Sequence, residues 1–218
     1  MSADTLEAAT SVDQGSASQG EMETEAIQKE PGTHVAATPA SVQDRKINSD
    51  KLGKAKELKD SGNELFKNGN TKNATKKYHQ ALMYVKGVLC TDTSVPGIPE
   101  DLMYEKVTKE EKAIGDELTA LLHNNLAACL VKTTNWENVI KHTSQCLKIQ
   151  PENAKALYRR GMAYYETNSL LKAEEDLEKA KTLAPKDQNI VKQLDLVKSK
   201  LKTYEDQEKK IYTNMFSS

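Results

Sequence analysis

Five positions of the chain recur with a period of about 34 residues, and this repetition constrains the fold more than any other feature. The last copy consists of Gly161, Tyr164, Ala173, Ala180 and Pro185. One period earlier the same positions are again small, apolar or Pro, as Ala127, Leu130, Val139, Cys146 and Pro151. A more distant copy supplies Gly62, Leu65, Ala74 and Ala81 at the first four of these positions, with Tyr78 one turn before Ala81. Repetition at this period predicts stacked units that share one core.

Each repeat is expected to be a pair of antiparallel helices. Small residues such as Gly62 and Gly161 allow the two helices to approach closely, and Pro151 and Pro185 end the second helix. The pattern resembles the tetratricopeptide repeat (TPR). We therefore predict an all-α TPR superhelix of three helix-turn-helix repeats, at approximately 55–88, 120–153 and 154–187.

The spacing between the first two repeats is longer than one period. Gly62 and Ala127 are separated by nearly twice the period, which indicates an insert at approximately 89–112. A loop with two prolines is expected there, followed by one long helix that leads into the second repeat. Thr108 is the predicted N-cap of that helix. We interpret the insert as a tolerated loop, with a docking element as the alternative.

A long amphipathic helix is predicted to follow the repeats, at approximately 187–214. Its apolar stripe has the spacing of a coiled coil and consists of Ile190, Leu194, Val197, Leu201, Tyr204, Ile211 and Met215. The stripe should cover the open end of the third repeat, as a capping helix does. Because the helix is longer than a cap requires, its last turns are expected to project.

Residues 1–48 differ from the rest of the chain in composition. They are rich in Ser, Thr, Gln and Glu and have few large apolar side chains, so we predict a disordered acidic tail at 1–48 and a TPR domain at 49–218. Residues 1–50 carry nine acidic and three basic side chains, a net charge of −6. Since the whole chain carries −1, residues 51–218 carry about +5. A mildly basic body favours an acidic ligand.

Several function classes are excluded at this level. The basic residues are not interleaved with aromatic side chains, so nucleic-acid binding is not expected. No stretch approaches the ~18 apolar residues of a membrane span, and no signal peptide is visible, which together predict a cytoplasmic protein without membrane insertion.

Catalysis is not expected either. The four histidines, His34, His79, His123 and His142, are scattered in the sequence, and none shares a helix face with a second ligand or a nucleophile. Cys90, Cys129 and Cys146 match neither a zinc site nor a disulfide framework, and small buried thiols are the simpler interpretation. No phosphate-binding loop or paired metal-ligand motif is present. We therefore predict neither an enzyme nor a metal or cofactor site.

The first helices of the three repeats should line one concave groove. Their exposed polar positions are predicted to be Lys59, Asn63, Asn125, Lys155 and Arg159, three cations and two amides without an acid among them. Such a set suits two neighbouring carboxylates, because Lys and Arg supply charge-assisted hydrogen bonds and Asn orients the oxygens. This chemistry favours capture of a C-terminal carboxylate.

These five residues resemble, in identity and spacing, the two-carboxylate clamp of TPR co-chaperones. The resemblance implies binding of the Glu-Glu-Val-Asp terminus of heat-shock protein 90, heat-shock protein 70 or both. The alternative is a solvated polar face on a TPR scaffold that holds cytoskeletal or signalling proteins without the clamp.

Residues 52–216 also resemble two narrower groups. The long spacer after the first repeat, together with NNLAACL, NAKALYRRG and EKKIYTNMF, is similar to the tetratricopeptide repeat protein 9 family. NLAAC and the closing Lys210, Tyr212, Met215 and Phe216 are similar to the TPR half of the large FK506-binding immunophilins. Because only the acidic tail precedes the repeats, isomerase activity is not implied, and the first family is the better match.

Overall fold

A computed structural model describes residues 39–90 and 107–216, which belong to one compact unit. The described residues form seven α-helices and no strands. In chain order these are α1 (Pro39–Lys67), α2 (Thr71–Leu89), α3 (Lys109–Lys132), α4 (Trp136–Ile149), α5 (Ala154–Glu166), α6 (Leu170–Leu183) and α7 (Gln188–Phe216). The all-α TPR fold predicted from the period is confirmed.

The helices pack in two layers. Each of α1, α3 and α5 pairs with the helix that follows it, and each second helix also contacts the helix that comes next in the chain. In addition, α1 contacts α3, α3 contacts α5, and α5 contacts α7. The first helices of the pairs therefore form one continuous layer, and this layer carries the candidate site.

Glycine is required at one close contact between the helices of the first pair and at one between those of the third pair. A Cβ at Gly62 would lie 2.6 Å from Cε1 of Tyr78, and one at Gly161 would lie 2.7 Å from Cγ of Leu177. Neither distance is compatible with an ordinary carbon contact, so both positions need glycine for this packing. The close approach predicted at these positions is confirmed, and at the first pair it brings the Tyr78 ring against the backbone of α1.

The predicted tail boundary at residue 48 needs correction. Residues 1–38 lie outside the described part, but α1 begins at Pro39 and includes the buried Asn48. A proline is compatible with the first turn of a helix because its missing N–H would have no partner there. The helix was missed at this segment because no apolar pattern indicates it: Val42 and Ile47 are exposed and do not mark a buried face.

The helix after the insert begins as predicted. Thr108 accepts a hydrogen bond from the backbone N–H of Glu111, whose carboxylate accepts one from the N–H of Thr108. This reciprocal capping box confirms the predicted N-cap. Residues 91–106 of the predicted insert lie outside the described residues.

The last helix extends beyond the repeat that it covers. Ile190, Leu194 and Val197 are buried in the same cluster as residues of α5 and α6, and Leu201 is partly buried. Every residue from 202 to 216 is exposed. The projecting end predicted for this helix is confirmed. None of the described helices has an apolar stretch that would cross a bilayer.

Candidate functional site

The five predicted groove residues lie on the three helices of the continuous layer. Lys59 and Asn63 are one turn apart on α1, Asn125 is on α3, and Lys155 and Arg159 are one turn apart on α5. Because α3 contacts both α1 and α5, the helix that carries Asn125 is next to both helices that carry the cationic residues.

A direct hydrogen bond joins the two predicted asparagines. Nδ2 of Asn125 donates to Oδ1 of Asn63 over 3.0 Å, although the residues are 62 positions apart. The same oxygen accepts a hydrogen bond from the Tyr78 hydroxyl over 2.9 Å. Both amides are therefore held by neighbouring groups and are only partly exposed. The expectation that they simply face solvent is wrong.

Arg159 is held by a residue that the sequence analysis missed. Its Nη1 donates to Oδ1 of Asn124, which is only 7% exposed. Burial lowers the pKa of the Arg159 guanidinium below its ordinary value, but a guanidinium stays charged at neutral pH. Arg159 is partly buried and has further N–H donors besides the one on Asn124. The sequence analysis expected an exposed groove position, and the structure shows Arg159 partly buried.

The two lysines differ in their surroundings. Nζ of Lys59 lies 3.2 Å from Oδ1 of the exposed Asp60, an acid that the five-residue pattern left out. Lys155 is exposed. The negative charge of Asp60 therefore offsets part of the charge of Lys59.

The adjacent arginines of α5 have different roles. Nε and Nη2 of Arg160 donate to the two carboxylate oxygens of Asp176 over 2.6 and 2.8 Å, and Nη1 reaches Oγ of Ser144 at 3.3 Å. Asp176 is buried in α6. Its hydrogen bond raises the pKa of the Arg160 guanidinium further. Arg160 therefore joins α5 to α6, whereas Arg159 points toward α3.

Three of the four histidines lie close together in space, which corrects the sequence interpretation, and His34 lies outside the described residues. Nδ1 of His123 lies 2.9 Å from Nδ1 of His142, and the His79 ring packs edge-on against His142 with centroids 5.9 Å apart. Burial lowers the pKa of His123 and of His142 to about 4. One neutral ring then donates and the other accepts. Helices α2, α3 and α4 bring together residues that sequence spacing could not connect.

Within residues 39–90 and 107–216, no group of three His, Cys, Asp or Glu side chains is arranged to hold a metal ion. Cys129 and Cys146 are buried free thiols, and burial raises the pKa of Cys146 to about 11. Cys90 is exposed, unlike the buried thiol that we expected.

Comparisons with known proteins agree with the repeat fold. Residues 154–187 match the family model described as "Tetratricopeptide repeat". Tetratricopeptide repeat protein 9C of Xenopus tropicalis is 32% identical over 168 residues, which cover 76% of this chain and 93% of that protein.

Two solved structures share the fold. The C-terminal TPR-containing domain of a Plasmodium falciparum FK506-binding protein has a TM-score of 0.60 and 28% identity, over 73% of this chain and 95% of that one. The first TPR of Spaghetti (RPAP3) has a TM-score of 0.51 and 19% identity, over 68% of this chain and 94% of that one. The extent of the match to protein 9C decides the assignment: the chain belongs to the tetratricopeptide repeat protein 9 family.

Proposed function

We propose that this protein is a non-catalytic cytoplasmic adaptor, a co-chaperone whose groove captures the acidic C-terminal peptide of heat-shock protein 90 or 70. The observation that carries the proposal is the layer formed by α1, α3 and α5. This layer carries Lys59 and Asn63 on α1, Asn125 on α3, and Lys155 and Arg159 on α5, and a hydrogen bond joins the two amides.

The chemistry of the groove matches a pair of carboxylates. An α-carboxylate and the side chain of a terminal Asp repel each other, so a site that holds both must supply cations and oriented N–H groups. Arg159 and Lys155 offer charge from α5, and Asn125 and Asn63 offer amides from α3 and α1. Single-groove capture of this kind corresponds to roughly micromolar affinity, about −8 kcal/mol.

A structural relative supports the choice of ligand. The first TPR of Spaghetti (RPAP3) was solved with the heat-shock protein 90 peptide SRMEEVD. That peptide ends in two acids, an apolar residue and a terminal Asp, which is the chemistry that the groove of this chain favours.

A charge reversal tests the proposal. Lys155→Glu places a negative charge beside the ligand carboxylates and should weaken binding of a free-acid Glu-Glu-Val-Asp peptide at least roughly tenfold. Lys181→Glu makes the same change of charge on an exposed position of α6 and serves as the matched control. Calorimetric titrations of both variants should differ strongly. If the two variants bind equally, the groove residues are a solvated face and the proposal fails.

A second candidate function is a scaffold that binds a cytoskeletal or signalling protein without the clamp. The observation that favours it is the exposed apolar end of α7, where Ile211, Tyr212, Met215 and Phe216 are 58–85% exposed. Truncation before Ile211 should abolish partner capture if the scaffold is correct and leave peptide affinity unchanged if the groove is the site.

A further inference from the structure

The carbonyl oxygen of the Asn63 side chain already accepts two hydrogen bonds within the protein. A carbonyl oxygen has two lone pairs, and Oδ1 of Asn63 accepts one hydrogen bond from Tyr78 and one from Asn125. What remains for a ligand is the Nδ2 group, which has two N–H donors and no acceptor. The amide is thus oriented as a donor before any peptide arrives.

Tyr78 is suited to hold this orientation. It is 1% exposed, and the missing Cβ of Gly62 allows its ring to lie against α1 directly beside Asn63. Burial raises the pKa of the Tyr78 hydroxyl to about 12, so the hydroxyl keeps its proton at neutral pH. A hydroxyl that is fixed by a buried ring and remains protonated is a dependable donor to Oδ1 of Asn63.

We propose that Tyr78 is a positioning residue that orients the Asn63 amide with its N–H donors toward the carboxylates of a bound acidic C-terminus. This inference rests on the proposed function. Tyr78 itself does not touch the ligand. It acts together with Asn125 by holding Oδ1 of Asn63, because a flip of the amide would place Nδ2 against the Nδ2 donor of Asn125, end the hydrogen bond that the Tyr78 hydroxyl donates, and present Oδ1 to a negatively charged ligand.

Selectivity follows from this arrangement. A carboxylate accepts hydrogen bonds only, so it requires the donor orientation of Asn63. An amidated terminus has both a donor and an acceptor and tolerates either orientation. Loss of the Tyr78 hydroxyl should therefore weaken the free-acid peptide more than the amidated peptide, which keeps only the side-chain carboxylate of its terminal Asp.

The test compares Tyr78→Phe with the wild type, using the Glu-Glu-Val-Asp peptide as the free acid and as the amide. Phe retains the ring that packs against Gly62, and we expect the free-acid peptide to bind about three- to tenfold more weakly. Tyr84→Phe removes the same atom from an exposed position of α2 and should leave the affinity unchanged. Thermal unfolding of each variant verifies that the fold is retained.

A double-mutant cycle separates orientation from general packing. If Tyr78 acts through Asn63, Tyr78→Phe should have no further effect on affinity in an Asn63→Ala background. An equal loss in both backgrounds would overturn the inference, as would an unchanged affinity of Tyr78→Phe for the free acid. If wild type does not prefer the free acid over the amide, the proposed function fails as well. If that preference is present and only the Tyr78 result is negative, this inference alone fails.

Discussion

Replacement of the two neighbouring arginines of α5 should lower the free energy of unfolding by different amounts. Replacing Arg160 by Met leaves the Asp176 carboxylate, which is 3% exposed, without its two-point partner. Breaking a buried pair on one side costs about 3–5 kcal/mol. For a domain of this size that is a fall in thermal midpoint of roughly 6–20 °C. Arg159→Ala leaves only the neutral Oδ1 of Asn124 without its donor and should lower the free energy of unfolding by about 1–3 kcal/mol.

Urea unfolding followed by far-UV circular dichroism measures both changes, and peptide titration of the folded variants completes the comparison. Arg160→Met should retain peptide affinity, while Arg159→Ala should lose most of it. Since the cost at Arg160 arises from an unpaired charge, the double variant Arg160→Met and Asp176→Leu should recover most of the lost stability. A change at Arg160 within about 0.5 kcal/mol of wild type would refute this reasoning.

Three further predictions concern stability. Leu194→Ala should lower the free energy of unfolding in urea by about 2–5 kcal/mol, because Leu194 is 1% exposed, whereas Met215→Ala should lower it by under about 0.5 kcal/mol, because Met215 is 68% exposed. Equal losses for the two variants would contradict the projecting end of α7. Thr134 has a φ of 52°, and Thr134→Gly should raise the free energy of unfolding by about 0.5–1 kcal/mol; a decrease would show that the left-handed turn is not strained. The pKa values of His123 and His142 are about 4 in the folded protein and near 6.5 in the unfolded chain, so their contribution to stability is fully present above pH 6.5 and is lost toward pH 4, by up to about 1.4 kcal/mol per pH unit for each proton. The thermal midpoint of the wild type should therefore fall more steeply with acid than that of His142→Gln. Parallel pH profiles of the two proteins would contradict this prediction.

Much of the fold follows from local patterns in the sequence. The repeat period located the helix pairs, because Gly62 and Gly161 recur where packing excludes a Cβ. Thr108 followed by Glu111 located the start of α3, since the two partners of a capping box lie within one turn of each other. The stripe on α7 identified its buried turns. Each of these signals is carried by residues close together in the chain or by the repetition itself.

The details of the candidate site depend on contacts between distant residues. The bond between Asn63 and Asn125 spans 62 positions, and no periodicity specifies a side-chain amide contact of that kind. Asn124 gave no signal because it stands beside Asn125 and only its burial distinguishes it. Asp60 was missed because its pairing with Lys59 depends on side-chain rotamers that sequence spacing does not determine.

The central claim is that the groove recognises a C-terminal carboxylate. The most direct measurement is a calorimetric titration of wild-type protein with one Glu-Glu-Val-Asp peptide in two forms, free acid and C-terminal amide. Charge-assisted hydrogen bonds contribute about 1.5–3 kcal/mol each, so the free acid should bind roughly tenfold to a hundredfold more tightly, and the difference should narrow as salt is added. Equal affinity for the two forms, or no binding of the free acid, would contradict the account.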